Sequence, residues 1–165
     1  MRDSHPTPSA SDTTPAPAPL TGEAARRAIA RFVGFFAELT EERVRAQARD
    51  VYAPDAHFDD TLKILKGAQA IEEDFVKSAR KTQQLRVAMD DIATHGENYY
   101  FRWTMTMAVK GLKGGKPLLS QGISHIRFDR QGRVVYHRDY WDAAGNLFEH
   151  FPLVGALLRS IRKRL

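Results

Sequence analysis

The sequence predicts an α+β fold in which N-terminal helices cover a curved, cone-shaped antiparallel sheet, with a further helix at the C-terminus. Apolar residues recur at helical spacing up to about residue 80 and at a spacing of two after about residue 85. The connections between the later segments are short, which requires antiparallel neighbours in a sheet. Such a sheet must bury one face, and the helices that precede it can cover that face.

The length and composition indicate one globular domain without covalent cross-links. The 165 residues are 42% hydrophobic, which is enough to form a core, and no long apolar run suited to spanning a membrane is present. The N-terminus lacks the basic-then-apolar order of a secretion signal, so we expect a cytoplasmic protein. The absence of cysteine excludes disulfides, thiolate metal ligands and cysteine nucleophiles.

The net charge of +5 is concentrated at the C-terminus. Four basic residues lie among the last seven, which leaves a net charge of +1 on the rest of the chain. No helix-turn-helix, zinc-finger or RNA-binding motif is present, so we expect no nucleic-acid partner. The basic residues flank the apolar face of the predicted C-terminal helix. That pattern is typical of a helix that covers its own fold or makes a weak contact with an anionic membrane surface.

Caps and breakers divide the chain into elements. Residues 1–20 hold five of the eight prolines and are predicted to be a disordered leader. Thr21 and Thr40 are N-cap candidates for the first two helices, and Pro54 ends the second because the residue before a proline disfavours helix. The predicted domain, residues 21–145, contains helices over residues 21–39, 40–53 and 67–79 and strands over residues 56–60, 86–94, 99–109, 118–129 and 133–142, and a basic amphipathic helix follows within residues 146–165.

The hairpin over residues 123–142 places polar and aromatic side chains on the same strand. Its turn ends at Gly132, where a positive φ is needed. Because side chains alternate along a strand, His137, Asp139 and Trp141 share one face. A half-buried acid beside aromatic groups predicts a candidate site on this face.

Two motifs resemble those of SnoaL-like members of the nuclear-transport-factor-2-like superfamily, which includes ketosteroid isomerase and limonene epoxide hydrolase. Residues 51–60 (VYAPDAHFDD) with residues 66–71 (KGAQAI) resemble one family signature, and residues 122–128 with residues 140–142 (YWD) resemble its closing hairpin. The resemblance covers about residues 22–145 and implies the cone fold and a homodimer paired through its sheets. It does not fix the reaction, because the superfamily includes isomerases, hydrolases, cyclases and binding modules.

The catalytic positions of ketosteroid isomerase are only partly present. By resemblance, Asp60 takes the position of the general base, whereas Ser124 replaces the protonated acid of the oxyanion hole and Phe36 replaces its tyrosine. Loss of one such donor typically lowers the rate by about 10²-fold or more. We therefore do not expect steroid isomerisation.

The comparison with limonene epoxide hydrolase gives Asp139 an acid role, because residues 138–140 (RDY) resemble the strand that carries one of its two acids. The other acid belongs to an Arg-x-Asp arrangement, for which the candidate here is Arg102 followed by Trp103 and Thr104. Threonine cannot protonate an epoxide oxygen, so the resemblance implies that water attack is organised differently or does not occur.

Two hypotheses about function follow. In the first, the protein binds a small lipophilic molecule and performs acid/base chemistry without a metal or cofactor. Asp139 is then the principal acid or base, assisted by Asp60 or His137, and the substrate-binding candidates are Tyr52, Arg102, Trp103, Ser124 and Trp141. In the second, the protein is a non-enzymatic binding or scaffold dimer that uses its sheet face or C-terminal helix, and Asp139 is a structural carboxylate paired with Arg102 or Arg138.

Overall fold

In the described part of the chain, three helices form where the apolar spacing predicts them. A computed structural model describes residues 20–111, 116–142 and 160 of the chain. Thr40 caps the second helix, since its hydroxyl accepts a hydrogen bond from the backbone N–H of Arg43 at 3.2 Å. Thr21 occupies the N-cap of the first helix without a side-chain hydrogen bond. The helices are α1 (Gly22–Phe36), α2 (Glu41–Val51) and α3 (Ala68–Lys81).

Six strands form one curved, unclosed sheet in the part of the chain that the structure describes. They are β1 (Tyr52–Asp59), β2 (Ile64–Lys66), β3 (Thr82–His95), β4 (Asn98–Val109), β5 (Leu118–Phe128) and β6 (Val134–Trp141), and their order across the sheet is β2-β1-β6-β5-β4-β3. The four pairings β1–β2, β3–β4, β4–β5 and β5–β6 are antiparallel, but β1 runs parallel to β6. The sheet is therefore mixed, and the predicted antiparallel character holds for every pair except this one.

The chain passes from α2 into β1 without a loop. The N–H of Tyr52 donates to the carbonyl of Ala48 at the end of the helix, and Tyr52 already pairs with Val134 of β6. The strand thus begins four residues before the predicted start at residue 56, and Pro54 lies inside it. The three-residue β2 was not predicted, because so short a segment shows no period.

The hydrophobic core lies between the helices and the inner face of the sheet. Phe32 of α1, Val44 of α2 and Ile71 of α3 are fully buried. The ring of Phe32 lies 4.8 Å from that of Phe101 on β4 and 6.3 Å from that of Phe128 on β5, measured between centroids. These contacts place α1 across the centre of the sheet and leave the other face of the sheet outside the core.

The hairpin between β5 and β6 has the predicted turn. Gly132 has a φ of 75°, and Asp129 Oδ1 accepts hydrogen bonds from the N–H groups of Gln131 and Arg133. No helix in the described part of the chain is long and apolar enough to cross a membrane. Apart from Leu20 and Ser160, the predicted leader and the C-terminal helix lie outside the described residues, and both stay predictions.

Candidate active site

A cavity of about 230 Å³ opens between the inner face of the sheet and helices α1 and α3. Most of its wall is apolar and includes Phe36, Phe58, Trp103, Met105 and Trp141. A few polar side chains interrupt this wall, and they are Asp60, Lys63, Asp74, Ser78, Ser124, His137 and Asp139. Polar groups within an apolar enclosure interact more strongly than they would in water.

Asp139 is held through one of its two carboxylate oxygens. Oδ1 accepts a hydrogen bond from the Ser124 hydroxyl at 2.5 Å and lies 2.8 Å from Nε2 of His137. Among the described residues no donor reaches Oδ2, and this oxygen is not one of the fully buried atoms that lack a partner. Asp139 therefore has one oxygen fixed by the protein and one that remains accessible at the cavity wall.

Ser124 connects Asp139 to Trp103. Ser124 on β5 lies directly opposite Asp139 on β6, and its other neighbouring strand carries Trp103. The indole Nε1 of Trp103 donates to Ser124 Oγ at 2.9 Å. Three strands thus contribute one side chain each to a hydrogen-bonded row that ends at the carboxylate, and Ser124 acts within the row as both acceptor and donor.

His137 is almost fully buried between Asp139 and Tyr52. Its Nδ1 lies 2.8 Å from the Tyr52 hydroxyl. Burial first, and the charge of Asp139 second, raise the pKa of Tyr52 well above its ordinary value, so the hydroxyl keeps its proton. Tyr52 lies behind His137 and does not line the cavity, so it cannot contact a ligand there as the sequence analysis expected.

Asp60 organises the turn between β1 and β2. Its Oδ1 accepts hydrogen bonds from the backbone N–H groups of Leu62 and Lys63, both at 2.9 Å. Its carbonyl oxygen accepts from Nε1 of Trp141 at 2.8 Å. The Asp60 side chain lines the cavity, as does Trp141, but these hydrogen bonds are those of a turn-forming acid.

Two charged residues at the cavity were missed by the sequence analysis. Lys63 Nζ lies 2.7 Å from Asp74 Oδ2 and 3.6 Å from Asp60 Oδ2, so one cation is shared by two carboxylates. Asp74 could have been found, because the helical spacing that turns Ile71 and Phe75 inward places Asp74 beside them on the same face. Lys63 carried no such signal, since it lies in a turn.

Both arginines considered as partners of Asp139 are engaged elsewhere. Arg102 Nη1 lies 3.6 Å from Asp90 Oδ2, its side chain is 56% exposed, and it does not line the cavity. Arg138 Nε lies 3.4 Å from Asp59 Oδ2. The structural ion pair considered for Asp139 is therefore not formed with either arginine, and Arg102 is on the wrong side of β4 to orient a ligand in the cavity.

A comparison with protein families assigns the chain. A family model described as a SnoaL-like domain matches residues 32–137, which is more than half of the chain. The chain belongs to this SnoaL-like family. The family assignment and the observed fold agree with the resemblance in the sequence motifs. No curated protein matches the SnoaL-like chain significantly in sequence.

Solved structures share the fold of this SnoaL-like protein at low sequence identity. A protein from Catenulispora acidiphila DSM 44928 with a ketosteroid isomerase-like fold, in complex with trimethylamine, is 11% identical with a TM-score of 0.62, and the match covers 74% of this chain and 90% of that one. An epoxide hydrolase from M. tuberculosis, described as LEH-like, is 16% identical with a TM-score of 0.61 over 84% and 96% of the two chains. An NTF2-like protein of unknown function from Exiguobacterium sp. 255-15 is 14% identical with a TM-score of 0.58 over 70% and 98%. At these identities the likeness confirms the NTF2-like fold alone.

Proposed function

We propose that this SnoaL-like protein is an acid/base enzyme that acts on a small, mostly apolar molecule held in the cavity, with Asp139 as the group that transfers the proton. One observation carries the proposal. Asp139 is a carboxylate in an apolar wall whose Oδ1 is fixed by two neighbours and whose Oδ2 has no donor among the described residues. A positioned base needs this combination of a fixed orientation and a free lone pair.

The arrangement supports proton transfer in either direction. Oδ2 can accept a proton from an activated C–H bond of the ligand or from a water molecule that attacks it, and the resulting carboxylic acid can return the proton to the product. Such positioned acid/base groups contribute about 10²- to 10⁴-fold in rate. Isomerase, hydrolase and cyclase chemistry all use these steps, so the proposal extends to this class of reaction and not to one member.

The cavity wall supports a lipophilic ligand. The phenyl, indole and thioether groups of Phe58, Trp103, Met105 and Met107 provide a soft apolar surface. Because the polar groups of the wall are few, they would orient the ligand while its apolar body provides most of the binding free energy.

The first experiment identifies the ligand. Native mass spectrometry of the purified full-length protein, followed by extraction under denaturing conditions, would give the mass and identity of any copurified small molecule. Turnover of that compound and its close analogues, including exchange of their protons in D₂O, would then be compared between wild type, Asp139→Asn and Asp90→Asn. Asp90 is a matched control, since it lies outside the cavity and pairs with Arg102.

We expect Asp139→Asn to lower turnover or exchange by at least about 10²-fold, while Asp90→Asn behaves as wild type. Asp139→Asn should remain folded. Equal turnover in the two variants would reject the catalytic role of Asp139. A loss of about 2–5 kcal/mol in unfolding free energy for Asp139→Asn, comparable to a core lesion, would indicate a structural role instead.

A second proposal, a binding or scaffold homodimer, has support of its own on the outer face of the sheet. Ile123 of β5 and Tyr140 of β6 are cross-strand partners there, and they are 43% and 49% exposed. Beside them a row of four rings crosses four strands, in the order His57, Tyr136, His125 and Tyr100. The distances between successive ring centroids along this row are 5.5, 5.0 and 4.8 Å. Arg127 and Arg138 lie over the rings of Tyr136 and Tyr140. A patch of aromatic rings and arginines is the composition that protein interfaces favour, so it supports burial against a partner.

The homodimer is tested by mass in solution. Sedimentation velocity of wild type should give a dimer, and Ile123→Lys should give a monomer because it places a charge in the patch. Ile64→Lys is the matched control, since Ile64 is also exposed but lies in β2 at the edge of the sheet. A wild-type monomer at tens of micromolar, or an Ile123→Lys dimer, would reject pairing through this face.

A further inference from the structure

The hydrogen-bonded row at Asp139 has a direction that its members impose. The indole Nε1 of Trp103 is a donor only, so Ser124 Oγ must accept from it. The Ser124 hydroxyl proton is then available for Asp139 Oδ1, 2.5 Å away.

The hydrogen bond between Asp139 and His137 has a fixed donor as well. An ionised carboxylate accepts and cannot donate, so the imidazole ring must be the donor. Nε2 of His137 therefore carries a proton.

The other ring nitrogen faces a donor as well. The Tyr52 hydroxyl lies 2.8 Å from Nδ1 of His137, and Tyr52 is fully buried. Since burial keeps the phenol protonated, its O–H needs an acceptor, and the one that the structure describes is Nδ1. If Nδ1 also carried a proton, it would donate to the Tyr52 oxygen, and the phenol's own proton would have no acceptor among the described residues in a site closed to water. An unmade bond of a buried polar group typically costs about 1–3 kcal/mol.

We infer that Tyr52 is a positioning residue that holds His137 as the neutral Nε2–H tautomer, so that Asp139 is supported by two neutral donors and remains a free base. The inference rests on the proposed function in one respect, which is that Asp139 transfers the proton. The assignment of the tautomer is independent of it. Tyr52 acts through His137 and does not touch the ligand.

Among the groups around His137, only Tyr52 and Asp139 of the described residues can fix its tautomer, because the others are apolar rings. Phe32 and Phe36 of α1 and Phe58 of β1 pack around the imidazole, with ring centroids 5.6, 5.9 and 4.8 Å away. Among the described residues, Asp139 is the charged group in contact with the ring, and Tyr52 is the other titratable one. Asp139 Oδ1 accepts from the Nε2–H, and the Tyr52 hydroxyl donates to Nδ1, so each ring nitrogen has one partner.

The test compares Tyr52→Phe with Tyr99→Phe in the full-length protein. Tyr99 is a matched control because its buried ring also has a hydroxyl that makes one hydrogen bond, to the carbonyl of Leu20 at 3.2 Å, away from His137. Two-dimensional ¹H–¹⁵N spectra of the imidazole groups, assigned with a His137→Gln variant, report which ring nitrogen carries a proton. This measurement needs no substrate.

In wild type and Tyr99→Phe we expect the Nε2–H tautomer at pH 8, with Nδ1 as a hydrogen-bonded acceptor. In Tyr52→Phe the Nδ1 signal should move downfield as its hydrogen bond is lost, whereas in Tyr99→Phe it should stay where it is in wild type. A protonated Nδ1 in wild type at pH 8 overturns the inference, and this result does not depend on whether Tyr52→Phe folds. An Nδ1 signal unchanged by Tyr52→Phe overturns it equally.

Kinetics separate this inference from the proposed function. If the extracted ligand is turned over, kcat should fall in Tyr52→Phe but not in Tyr99→Phe, with KM nearly unchanged in both, because Tyr52 orients the ring that holds Asp139 and does not contact the ligand. A kcat equal to that of Tyr99→Phe would overturn the positioning role. A third outcome is that nothing is turned over, while the spectra show the Nε2–H tautomer in wild type and the loss of the hydrogen bond to Nδ1 in Tyr52→Phe. In that case the proposed function fails and the tautomer assignment stands.

Discussion

The indole of Trp103 lies against the backbone of Gly122, so closely that a Cβ on residue 122 would stand 2.5 Å from Cζ2 of the indole and 2.8 Å from the carbonyl oxygen of Tyr140. Gly122 and Trp103 are direct partners in the β4–β5 register. The indole crosses β5 over the missing side chain and donates to Ser124, two residues further along. A glycine in this strand therefore makes room for the donor that begins the row ending at Asp139.

Gly122→Ala should displace Trp103. Contacts of 2.5 Å with the indole and 2.8 Å with backbone cannot be relieved by a flexible side-chain end, so the indole must move and its bond to Ser124 should break. We expect a loss of about 1–3 kcal/mol in unfolding free energy, as in other overpacked sites, and weaker ligand retention. Urea unfolding and the Trp103 indole N–H signal in NMR spectra would measure both effects.

Gly34→Ala is the control for Gly122→Ala. Gly34 lies in α1, and a Cβ there would meet no atom within 4 Å. Alanine in a helix is favoured over glycine by about 0.5–1 kcal/mol, so this variant should be more stable than wild type. A Gly122→Ala protein as stable as Gly34→Ala, with an unshifted indole signal, would contradict the close packing at Gly122.

Side-chain alternation grouped the candidate residues of β6 on one face, because a period of two is a local property of a strand, but it did not show which face lines the cavity. His137, Asp139 and Trp141 all reach the cavity wall from that face. The place of Tyr52 was not predictable in this way. Its position behind His137 depends on the parallel pairing of β1 with β6, which makes Tyr52 the partner of Val134, a residue far away along the sequence. Pairing between distant segments leaves no mark on a single-sequence pattern.

The position of Arg102, unlike that of Tyr52, follows from the local spacing of the sequence. Alternation on β4 puts Trp103 inside and therefore Arg102 outside, so the spacing itself argued against the ligand-binding role that the resemblance to an Arg-x-Asp arrangement suggested.

The place of Lys63 at the cavity was not predictable from the sequence. It approaches the cavity because Asp60 folds the β1–β2 turn through two backbone hydrogen bonds, and the direction of a turn residue has no periodic signal.

Lys63 and Asp74 should be energetically coupled. Lys63→Met would leave Asp60 and Asp74 facing each other without the shared cation, and Asp74→Asn would remove one of the two charges. Because the Lys63 side chain is 38% exposed, water screens the pair, and we expect a coupling of about 0.5–1 kcal/mol in a double-mutant cycle. The coupling should fall as salt is raised. Strict additivity of Lys63→Met and Asp74→Asn would show that the pair contributes nothing to stability.

Stability should depend on pH through Glu41. Arg80 first and Arg45 second lower the pKa of the Glu41 carboxyl from 4.5 to about 2 by hydrogen bonding, which joins the start of α2 to the end of α3. A folded-state pKa below the unfolded value stabilises the fold above pH 4.5, and this contribution is lost as the pH falls towards 2. Arg80→Gln should therefore show a shallower acid dependence of its melting temperature than wild type.

The ionic strength dependence provides the control for Arg80→Gln. The Glu41 side chain is 37% exposed, so added salt should screen its interaction with Arg80 and reduce the difference between wild type and variant. Identical acid dependence of the two proteins at low salt would contradict the role of Arg80, and a difference that persists at high salt would point to another cause.

Thr61 holds the backbone of Asp139 from a conformation that threonine rarely adopts. Among the described residues it is the non-glycine residue with a positive φ, of 76°. Its hydroxyl donates to the carbonyl oxygen of Asp139 at 2.8 Å, and its N–H donates to Asp59 Oδ1 at 2.9 Å. A β-branched residue in this region is strained, and such strain persists where neighbouring contacts hold it.

Substitutions at Thr61 should separate the hydroxyl from the strain. Thr61→Ser keeps the bond to Asp139 and should behave as wild type, whereas Thr61→Ala should lose about 1 kcal/mol in unfolding free energy. Thr61→Gly also loses the hydroxyl, and glycine adds backbone entropy to the unfolded chain, but it relieves about 1–2 kcal/mol of left-handed strain. It should therefore be more stable than Thr61→Ala and close to wild type, while turnover falls as in Thr61→Ala. Chemical unfolding and turnover of the extracted ligand would measure the two properties. Full turnover in both variants without the hydroxyl would show that Asp139 is positioned by the hydrogen bonds to its carboxylate alone.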